Sequence, residues 1–257
     1  MKLYHGTSER VARLALQEGL LPRDESGVES HWGDCPSGEE YVYLTAAYAG
    51  YFAMQATDRD EDGRWAIIEI DTELLPDGDI FLYPDEDFLE QATRGQMFPA
   101  EWDVPLMVAD PETGSMVVRT KWFREHLWQF GHLWEDSVKG LGNCCHAGVI
   151  PPEAITRISF VDPKEAAQMC LMAADPFISL MNYAICQTKY KALTRWFMGE
   201  AVDPADFGYG SYPTLDETNG LHGIHPEIAK ATKLMKDQHD QWAKVLTNRA
   251  GVEVRDV

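Results

Sequence analysis

The sequence predicts a protein built from both strands and helices, and three observations predict it. Residues 3–5 read as a short strand followed at once by an amphipathic helix, and residues 40–45 repeat that order with a helix of small and aromatic residues behind them. Past Pro163 the chain changes character, with strongly helical stretches over 164–199 and 226–250.

In the first element, Leu3-Tyr4-His5 forms the strand and ends on the histidine, and Gly6 lets the backbone turn closely. Thr7 and Ser8 are placed to cap a helix over 8–18, which carries Val11, Leu14 and Ala15 on one side and stops at Gly19, suited to a left-handed C-terminal cap. His5 is therefore presented at a strand end, beside backbone that can approach a ligand. A buried histidine at a strand terminus is the other reading of the same residues.

The second element alternates Val42 and Leu44 against Tyr41, Tyr43 and Thr45, and the helix over 46–54 contributes Tyr48, Tyr51 and Phe52. For Phe52 a core position is preferred. A third strand, 65–71, follows a charged hairpin at 58–64 that is expected to be exposed. Downstream lies Pro84-Asp85-Glu86-Asp87-Phe88, an acidic cluster that also reads as the start of a helix, with Asp85 as N-cap and the acids complementing the helix dipole. Residues 143–160, from Asn143-Cys144-Cys145-His146 to Ile158-Ser159-Phe160, close the strand-rich half.

Between these lies a segment, 95–142, with a Pro/Asp-rich loop over 99–114, a strand at 116–119 and a helix at about 121–139. The aromatics of that helix, Trp122, Phe123, Phe130 and Trp134, cover much of its circumference, so burial is expected. His126 and His132 are six apart and share no helix face, which argues against a metal pair.

The four strand-rich segments together resemble the ADP-ribosyltransferase superfamily. Tyr4-His5-Gly6-Thr7 with its following helix is similar to the opening of the rifampin ADP-ribosyltransferases and the tRNA 2'-phosphotransferases. Tyr43, ahead of Thr45 and a helix of small residues, matches the second motif. The resemblance implies an α+β fold with a curved, split, mixed-to-antiparallel sheet, flanking helices and a C-terminal helical part. It implies transfer of ADP-ribose from NAD, as substrate, to an acceptor, with release of nicotinamide.

In that reading His5 holds the adenosine-side ribose and Gly6 backbone groups take the nicotinamide amide. Tyr43 stacks on the ring, with Tyr48 or Tyr51 closing the other side. Tyr4, Thr7 and Thr45 belong to the NAD-lining motifs, and Arg23 is a pyrophosphate contact. One acid stabilises the oxocarbenium-like charge: Asp87 first, Glu86 second, with Glu69 and Glu153 next if neither serves. The DNA-targeting ADP-ribosyltransferase toxins place a catalytic Glu at the head of a closing strand, where this chain has Asn143 and Cys144. That departure favours the rifampin-modifying branch. The expected organisation is a domain over 1–162, interrupted by 95–142, and a helical extension over 163–257 that packs on the sheet or recognises the target.

Composition narrows the partners. Forty-two acids against 22 bases give a net charge of -20, which opposes binding to phosphate backbones and puts a protein acceptor ahead of a nucleic acid. No apolar run reaches membrane-spanning length, and the strand beginning at the third residue is expected to leave no room for a signal peptide. Five cysteines without a repeating spacing fit reduced thiols in a cytoplasm, and adjacent Cys144-Cys145 do not form a standard zinc motif. Two other functions remain: an RNA 2'-phosphotransferase, weakened by the few basic residues near the motifs, and an inert, toxin- or phage-related binding module.

Overall fold

A computed structural model describes residues 1–28, 37–57, 63–76, 78, 80–94, 107–110, 113–174, 183–207 and 226–257. In chain order the elements are β1 (Lys2–Ser8), α1 (Glu9–Glu18), α2 (Arg23–Ser26), β2 (Tyr41–Thr45), α3 (Ala49–Thr57), β3 (Trp65–Asp71), β4 (Leu82–Pro84) and α4 (Glu86–Arg94). There follow β5 (Met107–Ala109), β6 (Met116–Val118), α5 (Arg119–Glu125), a 3-10 segment (Leu127–Leu133), α6 (Trp134–Gly140), β7 (Asn143–Ala147) and β8 (Ile155–Val161). The chain continues through α7 (Ala167–Ala174), α8 (Tyr183–Phe197), α9 (Pro226–Thr247) and β9 (Val252–Asp256).

The main sheet has seven strands in the order β4-β7-β2-β1-β3-β8-β9, with every neighbouring pair antiparallel. The fold is thus α+β, and its sheet is antiparallel where a mixed sheet was also expected. β5 and β6 make a separate two-stranded ladder. β1 pairs with β3 along its whole length, from Lys2↔Asp71 to Ser8↔Trp65, yet meets β2 only at Tyr4↔Thr45 among the described residues. Continued in register, Gly6 would face Tyr43. Instead the strands part there, so the sheet is two halves hinged on one pair.

Several expectations change in the structure. β1 does not end on His5: Gly6, Thr7 and Ser8 continue the strand, and Ser8 is the residue whose hydroxyl accepts the Val11 N–H as N-cap of α1. Gly6 is needed for packing, because a Cβ there would lie 2.0 Å from the Ala49 carbonyl oxygen and 2.5 Å from the Ala53 nitrogen of α3. Gly19 has φ 86° and ψ 173°, positive φ but outside the left-handed helical region. Residues 143–160, which close the strand-rich half in sequence, give two strands, β7 and β8, with β2, β1 and β3 standing between them in the sheet. The helix expected over 121–139 breaks into α5, the 3-10 segment and α6. A three-residue period lines up Leu127, Phe130 and Leu133 along one edge, where Leu127 and Phe130 are buried and Trp128 is left exposed.

The chain after Pro163 is not purely helical, because β9 extends the sheet on β8. α8 packs its Trp196 and Phe197 against Trp65 of β3, and the Thr194 hydroxyl donates to the Ala47 carbonyl at 2.6 Å. Residues 58–62 of the expected hairpin, 175–182 within the expected helical stretch, 208–225 and most of the 99–114 loop lie outside the described residues. No described helix is long and apolar enough to cross a membrane.

Candidate functional site

Where β1 and β2 part, the His5 side chain spans the gap, its Nδ1–H donating to the Tyr43 carbonyl at 2.9 Å. A carbonyl only accepts, so that bond puts a proton on Nδ1. The opening is a cavity of about 670 Å³, within the roughly 300–1,000 Å³ usual for small-molecule sites. β1 supplies His5, Gly6 and Thr7 to its wall, β2 supplies Tyr43, and the start of α4 supplies the acidic cluster.

The three neighbouring acids have three different roles. Asp85 is buried and caps α4: its Oδ1 accepts the Asp87 N–H at 2.8 Å, while its own N–H donates to the Ser137 hydroxyl at 3.0 Å. Glu86, in the first turn of α4, is buried and held at both oxygens. The Tyr43 hydroxyl donates to Oε2 at 2.8 Å, and the Arg124 Nε–H donates to Oε1 at 3.2 Å. Asp87 is the exposed member. The Tyr43 hydroxyl also accepts the Gly38 N–H at 2.9 Å, so the phenol is fixed from two sides. Burial and then the Glu86 carboxylate push that phenol well above its ordinary range, which keeps it a neutral donor to Glu86.

Burial, then the Glu86 and Asp87 carboxylates, push the Asp85 carboxyl well above the ordinary carboxylate range, and Arg124 opposes the push. The Asp87 carboxyl is raised by desolvation and then by Glu86, again opposed by Arg124. An acid raised on folding is destabilising when ionised. Above the unfolded value of about 4, the unfolded chain releases the proton that the folded chain retains, so folding stability falls as pH rises. Asp85→Asn keeps the oxygen that accepts the Asp87 N–H and removes the titration. It is expected to raise the melting temperature at neutral pH and to flatten the loss of stability as pH rises above about 4, as read from thermal melts across pH. A variant less stable than wild type at pH 7 would show that the ionised carboxylate is needed as the cap.

The other expected residues are dispersed. Arg23 reaches the cavity wall, with its Nη2–H donating to the Ser37 carbonyl at 2.6 Å and its Nε–H buried without a hydrogen-bond partner. Tyr4, Thr45, Tyr48 and Tyr51 are not among the residues that line the cavity. Tyr4 is core, its hydroxyl pushed up to about 12, first by burial. The Thr45 hydroxyl donates to the Gly142 carbonyl and accepts the Ala47 and Tyr48 N–H groups, turning the chain toward α3. Tyr48 packs on Tyr190 and Tyr51 on the same core. The face of α3 that meets the cavity is Phe52, Gln55 and Ala56, spaced three and four apart, and Phe52 also packs against the core.

Asn143, at the head of β7, also reaches the wall. Glu69 is away from it, accepting from the Thr156 hydroxyl at 2.7 Å and paired with Lys2. Arg124 carried no sequence signal, since thirty-eight positions separate it from Glu86. Cys144 and Cys145 are free buried thiols in different core clusters, and no group of three or more metal-ligating side chains occurs among the described residues.

No family model and no curated protein matches the chain. Among solved structures it is similar to EcPltA, at 14% sequence identity over 62% of this chain and 75% of that chain, with a TM-score of 0.28. The likeness is too remote to bear on residues or activity.

Proposed function

We propose that this protein cleaves NAD and transfers ADP-ribose to a nucleophilic acceptor, releasing nicotinamide. The observation that carries the proposal is the parting of β1 and β2 after Tyr4↔Thr45, with His5, Tyr43 and Glu86 on the wall of the resulting cavity. These are three residue types in positions where the sequence resembles the ADP-ribosyltransferases.

In the reaction the glycosidic C–N bond breaks and its electron pair leaves with nicotinamide. The acceptor's nucleophile then bonds to the ribose carbon and gives up its proton. The His5 ring holds the adenosine-side ribose. The Tyr43 ring offers its face to the cationic nicotinamide, for which the negative quadrupole of an aromatic ring is suited. Glu86 supplies the negative charge for the oxocarbenium-like centre. It is preferred to Asp87 because it is buried and fixed at both oxygens, and preorganised charge in a site of low dielectric stabilises a transition state best.

Those same two bonds favour one other reading, a module that binds NAD without turning it over. Nicotinamide release by the purified protein decides between them, with labelled NAD and a cell lysate showing which fraction is modified. Released nicotinamide supports the transferase; calorimetric binding of NAD without release supports the module. Tyr43→Ala is expected to weaken NAD binding by about 1–3 kcal/mol through loss of the ring. Tyr43→Phe keeps the ring but removes the tether on Glu86, so its loss is expected in turnover and not in affinity. Equal loss of affinity in both variants would rule out stacking.

A further inference from the structure

The segment over 95–142 looks in sequence like an interruption, yet it delivers a cation to the acidic wall of the cleft. Arg124 is in α5, its side chain is 17% exposed, and its Nε–H meets Glu86 Oε1 at 3.2 Å. The segment is anchored where this contact is made. Phe123, Leu127 and Phe130 form one buried cluster with Phe88 and Leu89 of α4, Tyr41 of β2 and Cys145 of β7. Packing against α4, β2 and β7 therefore fixes the distance between α5 and Glu86.

We propose that Arg124, carried on α5, is a positioning residue for the Glu86 carboxylate. This rests on the transferase reading above. With the Tyr43 hydroxyl on Oε2 and Arg124 on Oε1, the carboxylate is clamped from two sides by groups on different elements. Each oxygen has two acceptor positions, so the clamp leaves two for the substrate. The Arg124 charge also opposes the upward push on the Asp85 and Asp87 carboxyls.

The test compares wild type, Arg124→Gln and Arg124→Lys in nicotinamide release across pH, with circular dichroism melts to establish that each is folded. Arg124→Gln is expected to lower kcat by about tenfold or more while KM for NAD changes by less than about threefold, since the clamp acts on a group used in the transition state. The acidic limb of its pH–rate profile moves to higher pH, and Arg124→Lys recovers part of kcat and returns the limb toward its wild-type place. A merely structural arginine would lower the melting temperature without moving the limb. An active wild type with a folded Arg124→Gln that matches it, or that differs in KM alone, overturns the positioning role and leaves the transferase reading standing. If Arg124→Gln does not fold, Arg124→Lys decides: a wild-type kcat and profile overturn the proposal, and a reduced kcat with a shifted limb supports it. A wild type that never releases nicotinamide overturns both.

Discussion

Glu86→Gln is expected to slow nicotinamide release by about 100- to 1000-fold, the usual loss for one preorganised electrostatic group, with NAD affinity nearly unchanged. The amide keeps the size of the side chain and an oxygen that accepts from Tyr43, so what is lost is the charge that opposes the developing cation. Asp87→Asn, at the exposed position one residue on, is expected to cost far less. Single-turnover nicotinamide release with calorimetric NAD titration measures both, and melts control for the Arg124 charge left without its partner. The reverse order, with Asp87→Asn crippling and Glu86→Gln mild, would move the electrostatic role to Asp87.

Gly6→Ala is expected to give the largest loss of stability of any single methyl added to the motifs. Its Cβ would stand 2.0 Å from a backbone oxygen of α3 and 2.5 Å from a backbone nitrogen, and neither is a flexible side-chain end that can swing away. The helix must move off the strand. Overpacking commonly costs about 1–3 kcal/mol and more where backbone must shift, so a loss of roughly 3 kcal/mol or greater is expected. Chemical denaturation measures it. A variant as stable as wild type would mean that α3 is not held so close to β1, and that the glycine serves a ligand instead of the packing.

β2 and β3 were legible in the sequence, from the alternation around Val42 and Leu44 and from the run Trp65 to Asp71, whereas β1 runs three residues past His5, where the sequence reading ended it. Asp85 as a cap was legible too, from an acid ahead of two further acids and an apolar pair. Strand order was not. Nothing local in 143–161 says that β7 and β8 sit in opposite halves of the sheet, and β4, three residues long, is too short to show a period. Tyr51 and Phe52 of α3 both pack against the core that α8 builds with Trp196 and Phe197, and their adjacent places in the sequence do not say which of them also meets the cavity. The choice between Glu86 and Asp87 needed Tyr43 and Arg124, residues forty-three and thirty-eight positions away.

β9 has a consequence for self-association. A sheet edge is a row of unpaired donors and acceptors that invites a strand from another molecule. β8, with buried Phe160 and Val161, would be such an invitation, and β9 covers it. β9 itself carries Glu253, Arg255 and Asp256, with Glu253 ion-paired to both Arg64 and Arg255 at the surface. A strand arriving from outside would have to strip water from those charges, so the sheet ends on a border that repels further growth. At the opposite border the 3-10 segment lies over β4, with Gly131 close against Tyr83. One edge is thus guarded by charge and the other by cover, and the interior opening between β1 and β2 is left as the break in the sheet where a guest can enter.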